Sequence, residues 1–242
     1  MNSAIIQSRI WKAYGKTAVI LGQSFAFYGN RNSSKPSYVL GEDGSRMLSE
    51  DGSAIEEERS TPPLPSPLTT APYATLFVSL NAEDMTYRRP NKYGKATWYA
   101  LFDATSANVG DYLLGPAGTY FIAALQLLLP ILVVECNRTA TVYRPQVQTG
   151  ADGEYAGTTT ENETPIMTGW PCSILQGTKG EKNESNLPGD TRSPWWTILL
   201  PYADIQILPN DIITDDQGIR YVVSSPELSD LGWRITAMTA IA

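Results

Sequence analysis

Carboxylates are the only acid–base groups that this sequence holds in quantity: it has 25 Asp plus Glu and no histidine. Without imidazole there is no Ser-His-Asp triad, no Cys-His dyad and no zinc or non-haem iron site of the kind that needs a histidine ligand. Cys136 and Cys172 are the two cysteines, too few for a Cys-only metal site or a disulfide scaffold, and they read as buried thiols. Adjacent carboxylates occur at Asp215-Asp216 and at Glu56-Glu57-Glu58. A glycosidase or metal nuclease needs its carboxylates on separate elements facing one cleft. Asp215-Asp216 falls on an expected hairpin tip, where solvated charge is ordinary, and Glu56 to Glu58 falls in a polar arm. Glu42-Asp43-Gly44-Ser45 and Glu50-Asp51-Gly52-Ser53 carry too few oxygen ligands for a calcium loop, and their Asp-Gly pairs signal turns. Gly41 to Gly44 has no Lys-Ser/Thr and no helix after it, so it is not a phosphate loop. The expectation is a chain that is not an enzyme, with no cofactor and no metal.

Cations cluster at Arg88, Arg89, Lys92 and Lys95, interleaved with Tyr87 and Tyr93. This is the candidate contact with DNA or with an acidic partner; a solvated loop is the plainer account. The balance of 18 Lys plus Arg against 25 Asp plus Glu leaves a net charge of −7, which argues against a chain whose main task is gripping nucleic acid.

Charged residues make up 18% of the chain, alongside 19 glycines and 17 prolines. An ordinary soluble domain holds roughly 25% charged residues, so this composition favours a turn-rich β protein. Apolar residues at Ile6, Ile10, Tyr14, Ala18 and Leu21 recur every three or four positions and predict one helix over residues 3–21. Its stripe includes Trp11 and must be covered by the chain's own body or by a neighbour. The segment 28–72 is Gly-, Ser-, Glu- and Pro-rich and reads as an extended arm or projecting hairpin. Residues 73–145 hold short aromatic and β-branched strands parted by turn residues, 146–194 read as a polar insertion, and 195–242 as a second strand-rich block. With 1–27 as the helical unit, the fold class is mostly β: tandem small β-barrel or sandwich modules, an N-terminal helix and long arms.

The two strand-rich blocks share a repeat. Gly110-Asp111 is followed by Gly118 and Tyr120, and Asn210-Asp211 by Gly218 and Tyr221; an aspartate precedes a short apolar strand in each, and a glycine follows it after the same interval. The aspartate caps the entering turn, and the glycine supplies a positive φ at a hairpin tip. The aromatic surplus, six tryptophans and thirteen tyrosines, exceeds what two small cores require and points to assembly. Ile6, Ile10, Trp11, Tyr14, Trp195, Trp196 and Trp233 are the interface candidates. The first residues lack a signal-peptide pattern. The apolar run from Tyr120 to Val134, about 15 residues with Gln126 and Pro130 inside it, falls short of the roughly 20 that span a bilayer. No membrane partner is expected.

The run Trp196 to Pro201, then Asp204-Ile, Asn210-Asp211, Asp216-Gln-Gly218-Ile-Arg-Tyr221-Val-Val and Leu231-Gly-Trp-Arg-Ile235 resembles small β-barrel components of tailed-bacteriophage virions, the head-closure and head-to-tail joining proteins. Asn210 stands where that run usually has glycine, a mild departure because Asn tolerates left-handed backbone. Ile5 to Tyr14, Gly110 to Leu113, Thr119 to Ala123 and Gly169 to Ile174 are similar to a larger phage structural protein. The resemblance implies a virion component, assembled in the host cytoplasm, that forms a symmetric ring of itself at the neck. Its neighbours would be neck or tail proteins, and DNA would only pass through its channel. A tail or baseplate position is the alternative, and a β-sandwich binding carbohydrate through Trp195 and Trp196 is another.

Overall fold

The computed structural model describes residues 3–30, 63–82, 94–126, 128–145, 162–177 and 194–240. Its chain is mostly β, with an N-terminal helix and two closed six-stranded barrels in tandem.

Helix α1 (Ser3–Leu21) leads into β1 (Gln23–Tyr28). A two-residue strand, β2 (Leu64–Pro65), precedes β3 (Ala74–Ala82), β4 (Thr97–Leu101), β5 (Tyr112–Gly115), β6 (Gly118–Ala124) and β7 (Ile131–Cys136). The first barrel closes in the order β1-β3-β4-β7-β6-β5. Alternation buries Phe25 and Phe27 of β1, which meet Phe102, Tyr120 and Ile122 in one core. Phe27 and Phe102 pack edge to face with centroids 5.1 Å apart. Each such side chain contributes about 1.5–3 kcal/mol by leaving water.

The second barrel uses β8 (Arg138–Pro145), β9 (Glu163–Gln176), β10 (Trp195–Leu200), β11 (Ile212–Asp215), β12 (Arg220–Ser229) and β13 (Gly232–Thr239). Its order is β8-β9-β10-β13-β12-β11, closed by pairing of β11 with β8. Replacing β1, β3, β4, β5, β6 and β7 by β8 to β13 in turn converts the first strand order into the second, so the repeat covers the whole barrel. Closure leaves no free edge within either ring of strands.

Three expected boundaries move. Residues 23–28, expected with the helix and arm, supply a strand that closes the first barrel. Residues 138–145, expected in the first module, open the second, because they pair with β9 and β11. Residues 163–176, expected inside a polar insertion, form the longest strand of the second barrel, whose Met167, Trp170, Cys172 and Ile174 are buried. The turn copies at residues 42–45 and 50–53 and the glutamates at 56–58 lie outside the described residues.

A single residue, Asn137, separates β7 from β8. Its backbone N–H donates to Cys172 O (3.1 Å), its amide nitrogen to Ile174 O (2.9 Å), and its side-chain oxygen accepts the Ile174 N–H (2.8 Å). Tyr112, Phe121, Ala123 and Val134 of the first barrel share one apolar cluster with the interior of the second. Within it, the Tyr112 hydroxyl donates to Pro171 O at 2.7 Å, and its ring meets Trp170 edge-on at 6.2 Å. Strand β2 crosses the seam as well: it pairs in parallel with β9, and Trp170 Nε1 donates to Leu64 O at 3.1 Å.

Candidate functional site

The repeated aspartates are buried and build the same turn twice. Asp111 N–H donates to Asn108 O and Asp211 N–H to Leu208 O, both at 3.2 Å. Gly110 N–H donates to Ile122 O and Asn210 N–H to Val223 O, both at 2.8 Å. Gly110 has φ 91° and Asn210 φ 71°, which is why glycine serves in one copy and asparagine in the other. Each carboxylate then accepts the backbone N–H three residues before it, Asn108 at 2.9 Å and Leu208 at 2.8 Å.

The remaining donors differ. Asp111 accepts the Tyr73 hydroxyl at 2.8 Å and the Asn30 N–H at 3.1 Å. Asp211 takes the Arg144 guanidinium in a forked pair, Nε at 3.1 Å and Nη2 at 2.9 Å. The hydrogen bonds that Arg144 donates to Asp211 are the main cause that raises its pKa, with partial burial opposing and the coulombic attraction of Asp211 adding to the rise. These carboxylates anchor β5 and β11 to the strands beside them.

Asp215 departs from the expectation of a solvated tip. Its side chain is fully buried and accepts the N–H groups of Gln217 (3.0 Å) and Ile219 (2.8 Å) and the hydroxyl of Tyr221 (3.2 Å). Asp216 is the exposed member of the pair. The two acids therefore differ in burial but share a cation: Arg138 Nε lies 3.9 Å from Asp215 Oδ2 and 4.0 Å from Asp216 Oδ1. Desolvation, with Asp215 adding to it, pushes the Tyr221 hydroxyl up to about 12. Burial likewise takes Tyr120 to about 12 and raises both cysteine thiols. Cys136 and Cys172 are free thiols, Cys172 buried and Cys136 half-buried. Among the described residues, no group of three or more His, Cys, Asp or Glu is placed to hold a metal ion. No helix among them is long and apolar enough to cross a membrane.

The nominated aromatic and apolar residues are distributed over the body of the protein. Ile6, Ile10, Trp11 and Tyr14 form the half-buried stripe of α1, with Gln7 and Ala18 buried beside them, and Trp11 packs on the first core. The helix lies on β3, β4 and the 3-10 turn Ala104–Ser106. Trp195 and Trp196 are half-buried; Trp196 packs edge-on to Tyr221 and donates to Thr239 Oγ1. Trp233 is 5% exposed and belongs to the shared cluster at the seam. Lys95 is exposed ahead of β4, whereas Arg88, Arg89 and Lys92 lie outside the described residues.

Two open surfaces were not nominated from sequence. One is a groove of about 450 Å³ between α1 and β3, with Lys12, Lys16, Val19 and Phe77 in its walls. The other, about 750 Å³, runs along residues 202–209 and the start of the β12–β13 hairpin. Val19-Ile20-Leu21 was the available signal for the first, since three consecutive apolar residues cannot all lie on one helical stripe. The second depends on how residues 202–209 fold over the barrel, which has no local signature.

No protein-family model matches the chain, and no curated protein matches it. Among solved structures, the phage-like element PBSX protein xkdH from Bacillus subtilis is similar over 42% of this chain and 92% of its own, with 16% identity and a TM-score of 0.28. A likeness of that size carries no argument about this chain.

Proposed function

We propose that this protein is a structural subunit of a tailed-phage particle, forming a ring at the head-to-tail interface. In that position it joins the portal side to the tail and surrounds the DNA conduit. The observation that carries the reading is the twin turn. The Asn210-Asp211 to Tyr221 run, which bears the resemblance to phage joining proteins, is a complete structural unit, and the fold uses it once in each barrel. Its buried acids are engaged in holding neighbouring strands together. A net charge of −7 suits a conduit that DNA passes without adhering.

Negative-stain microscopy of the purified protein, combined with immunogold labelling of intact particles, tests the reading. Rings or tubes in the first and label at the neck in the second are expected. Label along the tail or at its far end would move the subunit to the tail or baseplate. A strict monomer absent from particles would end the virion assignment.

A further inference from the structure

We infer that copies of this chain associate head to tail, the cationic face of α1 in one copy seating on the groove formed by residues 202–209 and the β12–β13 hairpin in the next. The inference rests on the ring reading above and assigns the surfaces that would make the ring.

Helix α1 carries Arg9, Lys12 and Lys16 and no acidic residue, in a chain whose net charge is −7. Spacings of three and four place these cations along one exposed side, where like charges at i and i+4 oppose the helix. The same side ends in open apolar surface: Val19 is 61% exposed, Ile20 82%, and Phe77 on the adjoining strand 46%. Asp103 is the acid in the groove wall, and it is occupied in capping the 104–106 turn through Thr105. Isolated exposed apolar side chains are ordinary, but a contiguous patch beside a cationic row has the composition of an interface.

The second barrel offers the complement. Tyr202, Leu208 and Leu228 are exposed along the groove of about 750 Å³, with Asp204 in its wall. Glu227 and Asp230 stand exposed on the adjoining hairpin. Arg234 offsets Glu227 at 2.7 Å, leaving the carboxylates of Asp204 and Asp230 in excess. Apolar surface thus meets apolar surface, and lysines meet carboxylates. The two faces belong to different barrels, so the contact uses unlike patches. Such heterologous contacts close into rings when the rotation permits and otherwise extend as filaments. Opposite charge sets the register and speeds encounter.

The test uses the full-length chain in sedimentation velocity and native mass spectrometry. Lys12→Glu with Lys16→Glu disables one face; Asp204→Lys with Asp230→Lys disables the other. Each pair is expected to raise the dissociation constant of self-association roughly tenfold or more, with unchanged circular dichroism and melting temperature. An equimolar mixture of the two variants should grow past a dimer, because the reversed helix of one meets the reversed groove of the other and each unaltered face still meets its unaltered partner. Combining all four substitutions in one chain should restore assembly. Variants that assemble like the wild type, or a mixture in which neither variant rescues the other, would overturn this assignment and leave the ring reading standing. A wild type that is monomeric at every concentration would overturn both.

Discussion

Asp211 is a small anchor with large reach: one carboxylate holds the Leu208 N–H and the guanidinium of Arg144, which also donates to Gln206 O. Its side chain is 2% exposed while that of Arg144 is 36% exposed, so loss of the acid strands a backbone donor but lets the arginine rehydrate. Asp211→Ala should therefore cost about 1.5–3 kcal/mol, less than the removal of one partner from a fully buried pair. Asp211→Asn, which keeps an acceptor, should cost less than the alanine variant in the same urea titration. An alanine variant as stable as the wild type would show that the turn holds without its carboxylate. These aspartates were legible in sequence because turn chemistry is local: a short polar side chain, a positive-φ residue beside it and a glycine seven positions on. Asp215 was not, because its burial depends on Tyr221 reaching back across the hairpin, and adjacency to Asp216 gives no sign of that.

Among the elements, α1 was read correctly in extent, and its stripe faces the first barrel from Ile6 to Ala18, whereas Leu21 at its end is 59% exposed. Its docking turns on Gly15, where an added Cβ would stand 2.9 Å from the Asp103 Cβ. Alanine in place of a helical glycine gains about 0.8–1.0 kcal/mol from propensity, while forced overpacking costs about 1–3 kcal/mol. The clash should win, so Gly15→Ala is expected to lower stability and speed amide hydrogen exchange along the helix without disturbing the barrel strands. Slower exchange in the variant would mean that the helix rides farther from the turn than the contact implies. The strands were legible in type more than in membership. Cys136-Asn137-Arg138 reads as one continuous run, and only non-local pairing divides it between two barrels. Strand β9 hid between polar flanks, its alternation broken by Gly169 and Pro171. The two grooves lay beyond sequence reading because each needs two distant segments brought together.

For the whole molecule, two barrels with a shared apolar cluster should unfold together. Tyr112 is the test of that union, since its ring and hydroxyl belong to the first barrel while their partners, Trp170 and Pro171 O, belong to the second. Wild-type protein is expected to give one calorimetric transition with matching calorimetric and van't Hoff enthalpies. Tyr112→Ala, at a cost of about 3–5 kcal/mol, should broaden or split it. A wild type that already melts in two steps would show the barrels to be energetically separate. The path of the chain adds a matter of timing. Every strand of the first barrel has been synthesised once Cys136 is added, so that barrel is free to close ahead of the second as the chain leaves the ribosome. Strand β2, made earlier still, must then wait for Met167 and Thr168 to appear before it can pair. The seam between the barrels is thus sealed late by one of the earliest segments to be translated.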